Sequence, residues 1–197
     1  INFFSAKQIT NPIREDGPDE HIIKKIGTPT MGGVLILLGL FSGVLLWCNL
    51  YSPYIWTLIF IVASFGLLGA YDDYKKIKFN NSSGVSFKFK IIIQIIIAVL
   101  GILILTNFAD HSDLKNLYFP FFKNLLLNLG WFFIPFAAFI IVGSSNAVNL
   151  TDGLDGLATV PVMLVAISFT LICYVVGNTV FSEYLQIPYI TDVGEAS

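Results

Sequence analysis

Charge is scarce in this chain. Of its 197 residues only 12% are Asp, Glu, Lys or Arg, while 55% are hydrophobic and the mean hydropathy is +0.77. Soluble domains carry roughly a quarter charged residues, so this composition excludes an ordinary soluble globular domain and indicates an integral membrane protein. The net charge of −2 carries no message about partners, and the eleven Lys and Arg follow topology and form no basic face, which excludes nucleic acid. Cysteine is equally sparse. Cys48 and Cys173 both lie in apolar runs, where a thiol behaves as a small hydrophobe, so no disulfide is expected.

Other absences narrow the reading further. No internal repeat or low-complexity tract is present, which disfavours a transporter built from inverted repeats. No Gly-Lys-Ser/Thr ending follows the glycine-rich stretch near residue 30, so there is no P-loop. The chain starts at Ile1 with no charged-then-apolar leader and stops at Glu195-Ala196-Ser197 just after a turn-like Ile187-Pro188-Tyr189. Both ends therefore read as cut.

What is present is a series of apolar runs, at about 31–50, 54–71, 87–106, 131–150 and 157–177. Each approaches the ~20 residues that span ~30 Å of hydrocarbon as an α-helix. Backbone polar groups in a bilayer must be satisfied within the segment, so helices are expected even over the β-prone Ile91-Ile92-Ile93-Gln94-Ile95-Ile96-Ile97. The expected fold is an all-α, polytopic transmembrane bundle. Residues 1–30 form a juxtamembrane segment, 31–177 hold five spans with cytoplasmic loops near 71–90 and 146–158, and 178–197 form a periplasmic end.

Orientation comes from the lysines. Lys7, Arg14, Lys24 and Lys25 precede the first span, and Lys75, Lys76, Lys78, Lys88 and Lys90 fill the connection after the second, which places that connection inside. By alternation residues 107–130 lie outside, with Tyr118-Phe119-Pro120-Phe121-Phe122 as an interfacial aromatic belt. Three polar, glycine-punctuated stretches, at 15–33, 71–90 and 146–158, then converge on the cytoplasmic face.

Each stretch carries chemistry that a plain helix end does not require. Asp72-Asp73 closes a long apolar run, and adjacent carboxylates there need a cation, hydrogen bonds or water. The plainer alternative is that the pair ends the helix, with lysines as interfacial anchors, Lys78 above all. Lys25 and Gly27-Thr28-Pro29-Thr30-Met31-Gly32-Gly33 offer backbone N–H groups, hydroxyls and positive charge to an anion, or else a capped helix entry with close packing. Asn146, Asn149, Asp152 and Asp155 recur every third position at the end of an apolar run, a polar stripe that packing does not explain. Gln94, inside the next span, has a simple role open to it as a hydrogen-bond partner for a neighbouring helix.

Taken together, the strings at 27–33, Asp72-Asp73-Tyr74 with Lys76, Gly84 and Ser86 with Lys90 and Gln94, and 146–158 resemble the MraY family of phospho-N-acetylmuramoyl-pentapeptide transferases. The resemblance spans nearly the whole chain. The aspartate pair alone is shared with the wider group of polyprenyl-phosphate sugar-1-phosphate transferases. What the resemblance implies is a ten-helix, multi-pass enzyme of the bacterial inner membrane, working in peptidoglycan synthesis with its active site facing the cytoplasm. It would transfer phospho-MurNAc-pentapeptide from UDP-MurNAc-pentapeptide to undecaprenyl phosphate with Mg²⁺, giving lipid I and UMP. The five spans would correspond to the second to sixth helices of the family.

By the same resemblance Asp72 and Asp73 are the catalytic and metal-binding pair, with a further metal ligand expected beyond Ser197. Lys25, Thr30, Asn146, Asn149, Asp152 and Asp155 would line the nucleotide–sugar site, and Lys76 and Lys90 the phosphate region. The choice between Lys24 and Lys25 stays open, as does homodimerisation. The resemblance also implies that 1–197 is a piece of a longer enzyme, inactive alone. Two rival readings remain at this point: a relative transferring GlcNAc-1-phosphate to the same lipid, and a non-enzymatic membrane protein in which Asp72, Asp73, Asp152 and Asp155 bind a cation.

Overall fold

A computed structural model describes residues 32–79, 84–109, 112–119, 126–151 and 157–190. Their elements run in chain order as α1 (Gly32–Trp47), α2 (Pro53–Phe79), α3 (Phe87–Phe108), a two-stranded hairpin of β1 (Asn116–Tyr118) and β2 (Leu126–Asn128), α4 (Phe133–Thr151), α5 (Thr159–Val176) and α6 (Thr179–Leu185). Among the described residues four helices are long and apolar enough to cross a membrane, and α1 is a shorter apolar helix. The all-α polytopic expectation holds. The isoleucine run at 91–97 is helical, because in a medium without water only the helix satisfies every backbone group within the segment.

Local signals set the helix starts. Asn49 accepts a hydrogen bond from the Tyr51 N–H and turns the chain, and Pro53 occupies the first position of α2, where its missing N–H costs nothing. Ser86 caps α3: its Oγ accepts from the Phe89 N–H, and its carbonyl accepts from the Lys90 N–H at 3.0 Å.

The plainer alternative for the aspartate pair does not hold. The aspartate pair does not end the second helix, which continues through Asp72 and Asp73 to Phe79. Lys76 lies four residues after Asp72 and three after Asp73, on the same helical face, and neutralises the charges that would otherwise end the helix; Lys76 and Lys78 also suit the negative end of the helix dipole. At 27 residues α2 is about 40 Å long, so its last turns extend past ~30 Å of hydrocarbon. A second difference is the short antiparallel hairpin inside 107–130, pairing Asn116 with Asn128 and Tyr118 with Leu126. Of the aromatic belt expected there, residues 120–122 lie outside the described residues.

Helix packing relies on small residues, as it must where lipid tails remove the drive for apolar side chains to seek one another. Gly101 of α3 faces Ile61 of α2 so closely that a Cβ would sit 2.7 Å from it, and Gly66 of α2 meets Leu37 of α1 in the same way at 2.5 Å. The core lies between α3 and α4, where Ala98 and Ile102 pack with Ala138 and Val142. These residues step by four along two antiparallel helices, forming one continuous apolar seam. Among the described residues α5 has none buried and lies against α6. Cys48 and Cys173 are both free, as expected.

Candidate active site

The antiparallel run of α2, α3 and α4 brings the C-terminal end of α2, the N-terminal end of α3 and the C-terminal end of α4 to one end of the bundle. One side-chain hydrogen bond among the described residues links the last two of these. Asn146 Nδ2 donates to Gln94 Oε1 at 2.7 Å, continuing the Ala98–Val142 seam by one more step of four on each helix. Gln94 is 3% exposed, so this amide contact closes the apolar seam with a satisfied polar pair. The same Asn146 nitrogen donates to the Val142 carbonyl at 2.8 Å, so both its N–H groups are engaged and any ligand contact through this side chain falls to Oδ1.

At the end of α2, three charged side chains form one cluster. Lys76 Nζ lies 2.6 Å from Asp72 Oδ2 and 3.5 Å from Asp73 Oδ1. The other oxygen of Asp72 accepts the backbone N–H of Val85 at 2.7 Å, across the connection between α2 and α3. Lys90, in the first turn of α3, adds its positive charge to the field at Asp72. The two carboxylates are thus unequal. Among the described residues Asp72 has both oxygens engaged and a side chain 15% exposed, whereas Asp73 has one weak contact and is 33% exposed. Asp73 is the carboxylate open to a ligand.

The remaining candidates divide cleanly. Asp72, Asp73, Lys76 and Lys90 share one locality. Asn146 is bonded to Gln94, one turn after Lys90 on α3, and Asn149 is exposed on the last turn of α4. Lys25, Thr30, Asp152 and Asp155 lie outside the described residues. Lys78 packs its ammonium over the rings of Tyr74 and Phe79, at 5.7 and 5.9 Å, which suits the anchoring role read from sequence. Sequence reasoning gave no part to Val85. Its contribution is a backbone N–H, which no side-chain pattern advertises, and the nearest signal is the glycine before it.

Against this geometry stands a clear relationship. Residues 55–189 match the model of glycosyl transferase family 4. The chain belongs to that family. Residues 25–37 also match signature 1 of phospho-N-acetylmuramoyl-pentapeptide-transferase, the stretch that carried part of the resemblance. The chain is 74% identical over 197 residues to the phospho-N-acetylmuramoyl-pentapeptide-transferase of Pelagibacter ubique (strain HTCC1062), covering 100% of this chain and 55% of the relative. It is 48% identical to the protein of the same name from Phenylobacterium zucineum (strain HLK1), over 99% of this chain and 54% of that one. With the Rhodopseudomonas palustris (strain BisB18) protein the identity is 49%, over 94% and 52%. The chain thus spans about half the length of the curated relatives it matches.

The Gln94–Asn146 pair leads to a first expected result. In the full-length protein, Gln94→Leu or Asn146→Leu alone leaves an amide without its partner at the helix interface and is expected to lower stability by about 1–2 kcal/mol. The double variant should cost less than the sum, because neither amide is then stranded. Thermal unfolding in detergent across the four proteins measures the coupling, and strict additivity would show that the two side chains do not support each other.

Proposed function

We propose that this protein, in its full-length form, transfers phospho-MurNAc-pentapeptide from its UDP carrier to undecaprenyl phosphate, releasing UMP and forming lipid I for peptidoglycan synthesis. The observation that carries the reading is the 74% identity, along the entire chain, to a relative named for this transfer. The Asp72–Asp73–Lys76 cluster supports it chemically. Phosphoryl transfer leaves a protein little covalent work to do, and most of the barrier falls to positioning and neutralisation of charge.

In this reading Lys76 and Lys90 hold phosphate oxygens beside the aspartates, and Asn149 lies where the nucleotide–sugar approaches. Asp73, the open carboxylate, receives or directs the proton of the lipid phosphate, while Asp72 keeps Lys76 in place. Lys25, Thr30, Asp152 and Asp155 complete the donor site. The positive-inside lysines support a cytoplasmic position for this end of the bundle, where a UDP-linked donor would be found.

The pair also fits Mg²⁺. Carboxylate oxygen is the donor type this ion prefers, and it is commonly held by one or two carboxylates with the remaining positions left to water and substrate phosphate. Asp73 would hold it, with Asp72 beside it, and among the described residues no third His, Cys, Asp or Glu joins them. The ion when bound would neutralise charge developing on the pyrophosphate.

The test is a donor competition with the full-length protein, undecaprenyl phosphate and Mg²⁺. Lipid I formation from UDP-MurNAc-pentapeptide is expected, undiminished by an excess of UDP-GlcNAc. Product formed from UDP-GlcNAc in preference would overturn the donor assignment.

A further inference from the structure

Between α2 and α3 the chain performs three tasks in three consecutive residues. Gly84 has φ +58°, a left-handed conformation that residues with a side chain seldom adopt. Val85 is buried at 8% exposure and points its N–H at Asp72 Oδ1. Ser86 caps α3. The space at Gly84 is as restricted as its backbone. A Cβ there would sit 2.5 Å from Asp72 Oδ1 and 2.7 Å from Lys76 Cε, so the glycine lies directly against the cluster.

These facts connect. Asp72 ties the end of α2 to the start of α3 through one backbone hydrogen bond, and α3 carries Lys90 one turn further and Gln94 two turns further. Gln94 in turn fixes the end of α4 through Asn146. The line of contacts from Lys76 to Asn146 therefore passes through Gly84 and Val85. A wider residue at 84 would strain the turn and push the Asp72 carboxylate and the Lys76 stem out of their present places.

We infer that Gly84 and Val85 are positioning residues for the proposed transfer: the left-handed glycine brings the Val85 N–H onto Asp72, which pins that carboxylate and Lys76 and leaves Asp73 as the carboxylate that faces the ligand. This deepens the function proposed above and rests on it for the activity measurement alone. Gly84 acts through Asp72.

The experiment uses the full-length protein in detergent and two readouts. The first is independent of activity: the amide proton of Val85, observed in 15N-valine-labelled protein and assigned by its absence from Val85→Ile. A hydrogen bond to a charged carboxylate holds this proton downfield, so Asp72→Asn and Gly84→Ala should each move it upfield. The second is the kinetic split. A misplacement of about 1 Å near the chemistry costs on the order of 10²-fold in rate, so Gly84→Ala should lower kcat by about that factor with KM for the UDP-linked donor nearly unchanged.

Gly84→Asn separates space from conformation, since Asn tolerates the left-handed region but still carries a Cβ. It should be as impaired as Gly84→Ala. Recovery of activity in Gly84→Asn would overturn the inference by showing that only the turn matters. A Val85 resonance that stays in place in both Asp72→Asn and Gly84→Ala would overturn it outright. Should the wild-type protein fail to use UDP-MurNAc-pentapeptide, the proposed function falls while the Val85 resonance still decides this inference.

Discussion

Asp73→Asn in the full-length protein is expected to reduce turnover by at least about 10²-fold, a loss near 2.7 kcal/mol of transition-state stabilisation. The substitution keeps size and shape and removes one negative charge from the more exposed of the two carboxylates. Among the described residues Asp73 has a single contact, at 3.5 Å to Lys76, so the variant should insert and unfold like wild type. Asp72→Asn should lose a comparable factor by another route. Its amide keeps an acceptor for the Val85 N–H but no longer holds the charge opposite Lys76 at 2.6 Å. The two variants differ in stability more than in rate, with Asp72→Asn the less stable. Turnover by purified protein, normalised to folded monomer, provides the measurement. Near-normal turnover in both variants would remove the pair from the chemistry.

Lys76→Ala should have the second large effect, about 10²-fold in turnover, since removing one charged donor at a site of developing negative charge typically costs 10²–10³. The lysine is shared by both aspartates, so its loss leaves them one residue apart with their repulsion unrelieved. Two consequences are expected together: slower transfer, and a higher Mg²⁺ requirement, because the cation must then neutralise what the ammonium neutralised before. Lys76→Arg retains the charge but not the compact head group, and the Asp72 contact lies beside Gly84, where a Cβ would sit 2.7 Å from Lys76 Cε. It should recover only part of the activity. Full recovery in Lys76→Arg would indicate that charge alone matters here. Unchanged turnover in Lys76→Ala would exclude Lys76 from the phosphate region.

What could be read in the sequence depended on the range of the interaction. The spans were legible because each is a long apolar run whose medium leaves one backbone solution, which is why even Ile91–Ile97 could be assigned as helix. The convergence of polar stretches at one end followed from alternation, and the Gln94–Asn146 bond brings the start of α3 beside the end of α4. The end of α2 was left open between two readings. A propensity argument treats Asp72 and Asp73 as helix breakers, while Lys76 at i+4 and i+3 outweighs that tendency. Gln94 and Asn146 were each visible as amides at depth, but their pairing is tertiary and no local pattern announces it. The three-residue strands at 116–118 and 126–128 are too short for any periodicity to register. The turn at Gly84 was hidden for a different reason, since the sign of φ is not written in composition.

The step-of-four seam between α3 and α4 also determines how these helices find each other. Ala, Val and Ile at the contact are similar enough that sliding one helix by a turn, about 5.4 Å, would leave the apolar contacts nearly as good. The Gln94–Asn146 bond does not tolerate that slide. A one-turn slip would separate the two amides and leave Gln94 without this partner against apolar side chains, a cost the shifted packing would not offset. The pair therefore acts as a ruler during assembly, selecting a single alignment among several of similar fit.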